Sequence, residues 1–276
     1  AEADLAPVFA RIDAIARENT ARMLSAFQEN RVSAACFAAT TGYGYDDRGR
    51  EVLDQVAAQV FGAEDAIVRI NFINGTHALS TALFGVLRPG DTLVSCFGAP
   101  YDTLQTVIGI AGDEPGNLRQ FGVRYVQVDG TPEGQPDLPA ILRAVQQPGV
   151  RMATIQRSRG YSDRAALTVA QLGEIIAAIH AAAPQVVVMV DNCYGEFVQE
   201  QEPTMLGADL MVGSLIKNPG GGLAVTGGYI AGRHDLVEAC AMRLTCPGVG
   251  REGGATLDQN RLLYQGFFLA PHTGAQ

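Results

Sequence analysis

The feature that most constrains this chain is a regular alternation of short apolar segments with longer amphipathic ones. Strand-like runs occur at residues 66–72, 91–96, 123–128, 151–155 and 186–191, with a further short apolar stretch at 210–212. Helical patterning separates them at 75–87, 101–110, 137–145 and 168–183. An amphipathic helix over 3–28 opens the chain, and helical patterning resumes at 235–243 and 255–268. Several strand segments, above all 186–191, are apolar at consecutive positions, which suits strands covered on both faces. The pattern predicts an α/β fold, a mostly parallel sheet sandwiched by helices. Thr168-Val-Ala-Gln171 reads as a capping box opening the helix that follows. In such sheets ligands sit beyond the carboxyl ends of the strands, so the loops after strands should carry the chemistry.

Composition then narrows the function. A chain of 276 residues suits one large domain, alone or with a small appendage. Its net charge of −9, with no basic cluster, argues against a nucleic-acid partner. The five cysteines are scattered without a C-x-x-C pair, and the four histidines lack ligand spacing. No metal is therefore expected, and a reducing, cytoplasmic location is. No apolar run approaches the roughly 20 residues that span a bilayer, and the first residues lack the layout of a secretion leader. No membrane partner is expected.

One count stands out: the chain contains a single lysine, Lys217, among 20 cationic residues. A preference for arginine strong enough to remove every other lysine should have removed this one too. What lysine offers and arginine does not is an amine that can lose its proton and act as a nucleophile. Lys217 lies in Gly213-Ser-Leu-Ile-Lys-Asn-Pro-Gly-Gly-Gly222, where glycines and Ser214 permit close backbone approach. The run is no P-loop, because its glycines follow the lysine. An ordinary surface lysine is the alternative.

Three other positions follow strands. Asp191 ends the most apolar strand and could pair with a buried cationic ring nitrogen, or simply cap a turn. Asn74-Gly75-Thr76-His77 joins a strand to a helix, which suits a phosphate, or a plain helix cap. Tyr101 could stack on a flat cofactor or plug the core. A phosphorylated planar cofactor with a ring nitrogen and an aldehyde, pyridoxal 5′-phosphate, uses all four features together. The missing G-x-G-x-x-G signature makes a nucleotide-binding protein a remote rival.

Five segments carry a specific resemblance. Thr41-Gly-Tyr-Gly-Tyr-Asp-Asp-Arg-Gly-Arg50, Asn74-Gly-Thr-His77, Gln156-Arg-Ser-Arg-Gly-Tyr161, Val190-Asp-Asn-Cys-Tyr-Gly-Glu-Phe197 and the 213–222 run together resemble the methionine γ-lyase-like, or aluminium-resistance, family. These are fold-type-I pyridoxal-phosphate enzymes related to cystathionine β-lyase. The resemblance implies Lys217 as the Schiff-base lysine, Asp191 on the ring nitrogen and Tyr101 over the ring. It also implies Gly75, Thr76, His77 and Ser214 at the cofactor, and Tyr45 and Arg48 as counterparts of a Tyr-x-Arg pair that reaches a neighbouring subunit's phosphate. A homodimer or homotetramer is implied in turn. So is a carbon–sulfur lyase acting on a sulfur-containing amino acid, with Lys217 serving as tether, base and acid. The rivals are aminotransfer by the same residues and a non-catalytic fold-type-I protein in stress or metal resistance. The expected organisation is an N-terminal helix and interface segment at 1–45, a cofactor-binding large domain at 46–250, and at 251–276 the start of a linker to a C-terminal small domain that is truncated or absent.

Overall fold

The structure, a computed structural model, describes residues 2–276. Helix α1 (Glu2–Glu29) leads to α2 (Arg48–Phe61), and then strands and helices alternate. The series is β1 (Asp65–Arg69), α3 (Gly75–Val86), β2 (Thr92–Ser95), α4 (Asp102–Ile108), β3 (Arg124–Gln127), α5 (Leu138–Val145), β4 (Val150–Gln156), α6 (Val169–Ala182), β5 (Val187–Asp191) and β6 (Leu210–Ser214). Strand β7 (Gly228–Gly232) and helices α7 (His234–Leu244) and α8 (Asn260–Ala275) complete it. Thr168 and Gln171 form the expected capping box at the start of α6.

One seven-stranded sheet has the order β1-β7-β6-β5-β4-β2-β3. Every pairing is parallel except those of β7, which runs antiparallel to both β1 and β6. The mostly parallel, helix-covered sheet is the one the alternation predicts. Strand-period alternation divides its two faces. Val187 and Met189 of β5 pack into the layer beneath α3 and α7, whereas Val188 and Val190 pack beneath α5 and α6. A third apolar cluster joins Met23 of α1, Phe61 of α2 and Phe267 of α8 to Tyr229 and Ala231 of β7. There the Phe61 and Tyr229 rings stack with centroids 4.9 Å apart.

Two elements go beyond the sequence reading. Helix α2 begins where the Asp47 side chain accepts from the Arg50 N–H at 2.8 Å, and ends at Gly62, whose φ of 62° is the left-handed turn that glycine tolerates. Strand β7 offers only three side chains between two glycines, too short an apolar signal to read. Its Gly232 is required by close packing, since a Cβ there would lie 2.0 Å from the Asp209 carbonyl oxygen.

Because β1, β2, β4, β5 and β6 run the same way, their carboxyl ends share one edge of the sheet. Helix α2 is locked to that frame by Asp54, which accepts from the Val68 N–H at 2.8 Å and from Arg69 Nη1 at 2.6 Å, both groups being buried. Removing one partner of a buried ion pair strands the other charge. Asp54→Ala is therefore expected to lower unfolding stability by about 3–5 kcal/mol. Denaturant unfolding checks this; an unchanged midpoint would mean that Arg69 finds another partner or water.

Candidate active site

Beyond the strand ends lies a cavity of about 410 Å³ lined by Gly75, Thr76, Tyr101, Asp191, Ser214 and Lys217. Six of the residues singled out in the sequence thus meet in one place, although they come from four separate segments. Asn74 caps α3 by accepting from the His77 N–H at 2.8 Å. This leaves the Gly75 and Thr76 N–H groups at the first turn, where a helix has no partners of its own to offer. Gly75 is tightly placed: a Cβ there would sit 3.0 Å from the Ser214 Cβ and 3.6 Å from Cys193 Sγ. Ser214, the last residue of β6, is buried, and its hydroxyl has no hydrogen-bond partner among the described residues. The Thr76 and Thr103 hydroxyls lie 2.8 Å apart.

Asp191 ends β5 inside the cavity. The Cys193 N–H donates to its Oδ1 at 3.1 Å. Burial pushes the Asp191 carboxyl upward, opposed by the Cys193 hydrogen bonds and by the charge of Lys217. Lys217 is half-buried, with Nζ 3.9 Å from the centroid of the Tyr194 ring. Burial works against its charge, yet Cys193, Tyr194 and Asp191 around it raise its pKa overall, so the amine is held as a cation. Tyr101 stands before α4, its backbone N–H donating to Gln156 Oε1 at 2.7 Å and its ring stacked on Tyr161 at 5.8 Å.

The other three predicted positions lie outside the cavity lining. His77 Nδ1 accepts from the Ile73 N–H at 3.2 Å, which occupies the ring in shaping the turn. Tyr45 is exposed and stacks on Tyr43 at 5.4 Å, and Arg48 is an exposed side chain at the start of α2. Conversely, Cys193, Tyr194 and Tyr161 line the cavity without having been singled out. The signal was adjacency: Cys193 and Tyr194 come two and three residues after the strand-end acid. Tyr194 also has a φ of 69°, a left-handed conformation unusual for a tyrosine, which turns the chain sharply after Asn192 and Cys193.

A buried polar cluster holds that turn. Arg157 Nη1 donates to Asn192 Oδ1 at 2.9 Å and to the Gly195 carbonyl at 2.8 Å, while Nη2 donates to Gln199 Oε1 at 3.0 Å. Glu202 accepts from the Phe197 N–H at 2.7 Å and from Asn192 Nδ2 at 2.9 Å. Glu196 is fully buried and accepts from the Tyr229 hydroxyl at 2.7 Å, its second oxygen having no partner among the described residues.

The comparisons with known proteins follow that geometry. A family model described as methionine gamma-lyase matches residues 1–276. The chain belongs to the methionine gamma-lyase family. Within it, the chain is 49% identical to the uncharacterized protein YnbB of Bacillus subtilis over 276 residues, spanning all of this chain and 65% of that one. A Listeria monocytogenes protein, described as a candidate cystathionine beta-lyase involved in aluminum resistance, superposes with a TM-score of 0.97. It is 51% identical, the match covering 99% of this chain and 69% of that one. A methionine gamma lyase from Micromonospora echinospora is more distant, at 27% identity and a TM-score of 0.61, covering 82% of this chain and 54% of that one. As in that family, the fold is the fold-type-I α/β arrangement. Among the described residues no helix is long and apolar enough to cross a membrane.

Burial, with the negative charges of Glu202 and Asp191 nearby, pushes the Glu196 carboxyl up to about 8 against the Tyr229 hydrogen bond. In the unfolded chain the same group releases its proton near 4.5. Between these values the folded protein keeps a proton that the unfolded chain has lost, so rising pH favours unfolding. Wild-type thermal stability should therefore decline from about pH 4.5 to about pH 8, and Glu196→Gln should flatten that decline. Parallel slopes for the two proteins across this window would show that Glu196 is already ionised in the fold.

Proposed function

We propose that this chain binds pyridoxal 5′-phosphate and that its residues serve the elimination of a thiol from a sulfur-containing amino acid. One observation carries the reading. The buried Ser214 hydroxyl, without a partner among the described residues, faces Gly75 at the opening turn of α3, in the same cavity as a buried acid and the chain's sole lysine. An orphaned buried donor costs free energy unless a ligand meets it, and a helix N-terminus favours a phosphate. The residues present fit the group.

Ser214 and Thr76 would hold the phosphate with their hydroxyls, together with the Gly75 and Thr76 N–H groups. Asp191 would keep a proton on the ring nitrogen, its burial making that ion pair strong. Tyr101 would cover the ring face, and Lys217 would tether the aldehyde. When bound, pyridoxal phosphate supplies an electron sink for negative charge at Cα of the amino acid. Lys217 then takes the proton from Cα and returns one later. Pairing Asp191 with a cationic nitrogen removes one of the negative charges that hold Lys217 protonated, which readies the amine to act as a base. Overall, water is consumed, the carbon–sulfur bond breaks, and a thiol, a 2-oxo acid and ammonium leave. Tyr45 and Arg48, exposed and outside the cavity, are the side chains available to reach a neighbouring copy in a homodimer or homotetramer.

Purified protein mixed with pyridoxal phosphate should be yellow, and Lys217→Ala should lose both the colour and at least about a hundredfold of thiol release. Asp191→Asn should keep the colour and lose activity to a similar degree. A Lys217→Ala protein as yellow and active as wild type would overturn the reading. Gly75→Ala, which forces a methyl against Ser214, should weaken cofactor binding about tenfold in a spectroscopic titration, the loss expected when donors around a phosphate are displaced.

A further inference from the structure

Lys217 and Asp191 reach the cavity on different segments, and one side chain joins those segments. The Asn218 amide nitrogen donates to the Glu196 carbonyl at 3.0 Å and to the Tyr194 carbonyl at 3.3 Å. Both partners only accept, so the amide must present its NH2 group to them. Among the described residues these are the only hydrogen bonds from residues 215–227 to a backbone carbonyl of the turn at 193–199.

The loop around Lys217 is held firmly at its feet. At one foot the Leu215 N–H donates to the Gly227 carbonyl at 3.1 Å. At the other, Gly220 and Gly221 lie backbone to backbone against Gly266 of α8. A Cβ on Gly221 would sit 2.1 Å from the Gly266 carbonyl oxygen, and one on Gly266 would sit 2.2 Å from that of Gly220. The feet limit how far the crest can travel, but they do not decide which way it faces. That falls to Asn218, the next residue in the chain after the lysine. The same amide grips the carbonyl of Tyr194, whose ring lies 3.9 Å from Lys217 Nζ. It therefore holds both members of that contact by their backbones. Tyr194 and Phe197 are left-handed, with φ of 69° and 64°, a conformation that persists only where the surroundings impose it. Asn218 supplies two of the bonds that do so, and Arg157 supplies the one between them, to the Gly195 carbonyl.

We infer that Asn218 is a positioning residue for Lys217, seating the amine against the Tyr194 ring and across the cavity from Asp191. The consequence for cofactor capture rests on the reading proposed above, whereas the seating is a property of the chain alone.

The sole lysine makes the test direct. Reductive methylation with isotope-labelled formaldehyde marks one side-chain amine, and its carbon resonance followed against pH gives the titration of Lys217 in the full chain without cofactor. Asn218→Ala should free the crest, take the amine away from the Tyr194 ring and the Asp191 charge, and so let it titrate at lower pH than wild type. Asn218→Ser, with one donor for two carbonyls, should fall between, and it answers for the alanine variant if that one fails to fold. Thr245→Ala removes a hydroxyl that donates to the Gly250 carbonyl at 2.8 Å, outside the cavity lining, and should titrate as wild type does. A wild-type titration in the folded Asn218 variant, or an equal shift in Thr245→Ala, overturns the inference. Pyridoxal phosphate should bind Asn218→Ala about tenfold more weakly, the scale of one or two lost hydrogen bonds, and unchanged binding overturns the inference as well. If wild type itself takes up no cofactor, the cofactor reading fails, and the amine titrations alone decide whether Asn218 seats the lysine.

Discussion

The guanidinium of Arg157 fixes the turn after β5 that supplies one wall of the cavity. It is buried, and it donates to a side chain and a carbonyl of the turn after β5 and to Gln199 beyond that turn. Glu202 stands 3.8 Å from the same Nη1 and ties down Asn192 and the Phe197 N–H. A buried cation lacking these acceptors would be untenable, so the turn adopts the one path that satisfies it. That path includes the left-handed Tyr194 and Phe197, which ordinary side chains avoid. The reward is positional: Asp191 is held at a strand end with a backbone N–H on its oxygen, and the Tyr194 ring lies under the Lys217 amine.

The same turn explains how charge is arranged. Three buried carboxyl groups, on Asp191, Glu196 and Glu202, lie in one region of the protein. Of the three, Glu202 is the one that forms an ion pair with a guanidinium among the described residues, that of Arg157. Glu196 relieves the crowding by holding its proton, with Tyr229 donating to one oxygen. Asp191 is left facing the lysine across an open cavity, the one acid of the three with room for a cationic ligand beside it. The separation of roles follows from who has a partner already, as general electrostatics requires of buried charges.

Much of this was legible in the sequence, and the reasons differ from residue to residue. Lys217 was legible because it is alone, and Asp191 because it ends an uninterrupted apolar strand. Gly75 was legible because it lies between a strand and a helix, where parallel sheets bind ligands, and Ser214 because it lies near the lone lysine in a Gly-rich run. Helix α2 and strand β7 were not: the first depends on contacts between its apolar positions and distant helices, the second has too few side chains to form a pattern. Arg157 looks like any other arginine until the fold closes around it, since its four acceptors come from residues 167, 192, 195 and 199. His77 shows the converse. It sits in the expected turn, but the turn spends its ring nitrogen on the Ile73 N–H.

The reversal of β7 carries a consequence for Lys217. Ser214 of β6 pairs with Gly228 of β7, and the Leu215 N–H donates to the Gly227 carbonyl at 3.1 Å. The lysine therefore rides on a loop whose two feet are stitched together immediately beneath it, only two residues from the last stitch. Such a short leash denies the amine the wide sweep it would have on an open crossover to a distant strand. Its freedom was surrendered when the hairpin closed, so little remains to be lost when a ligand arrives.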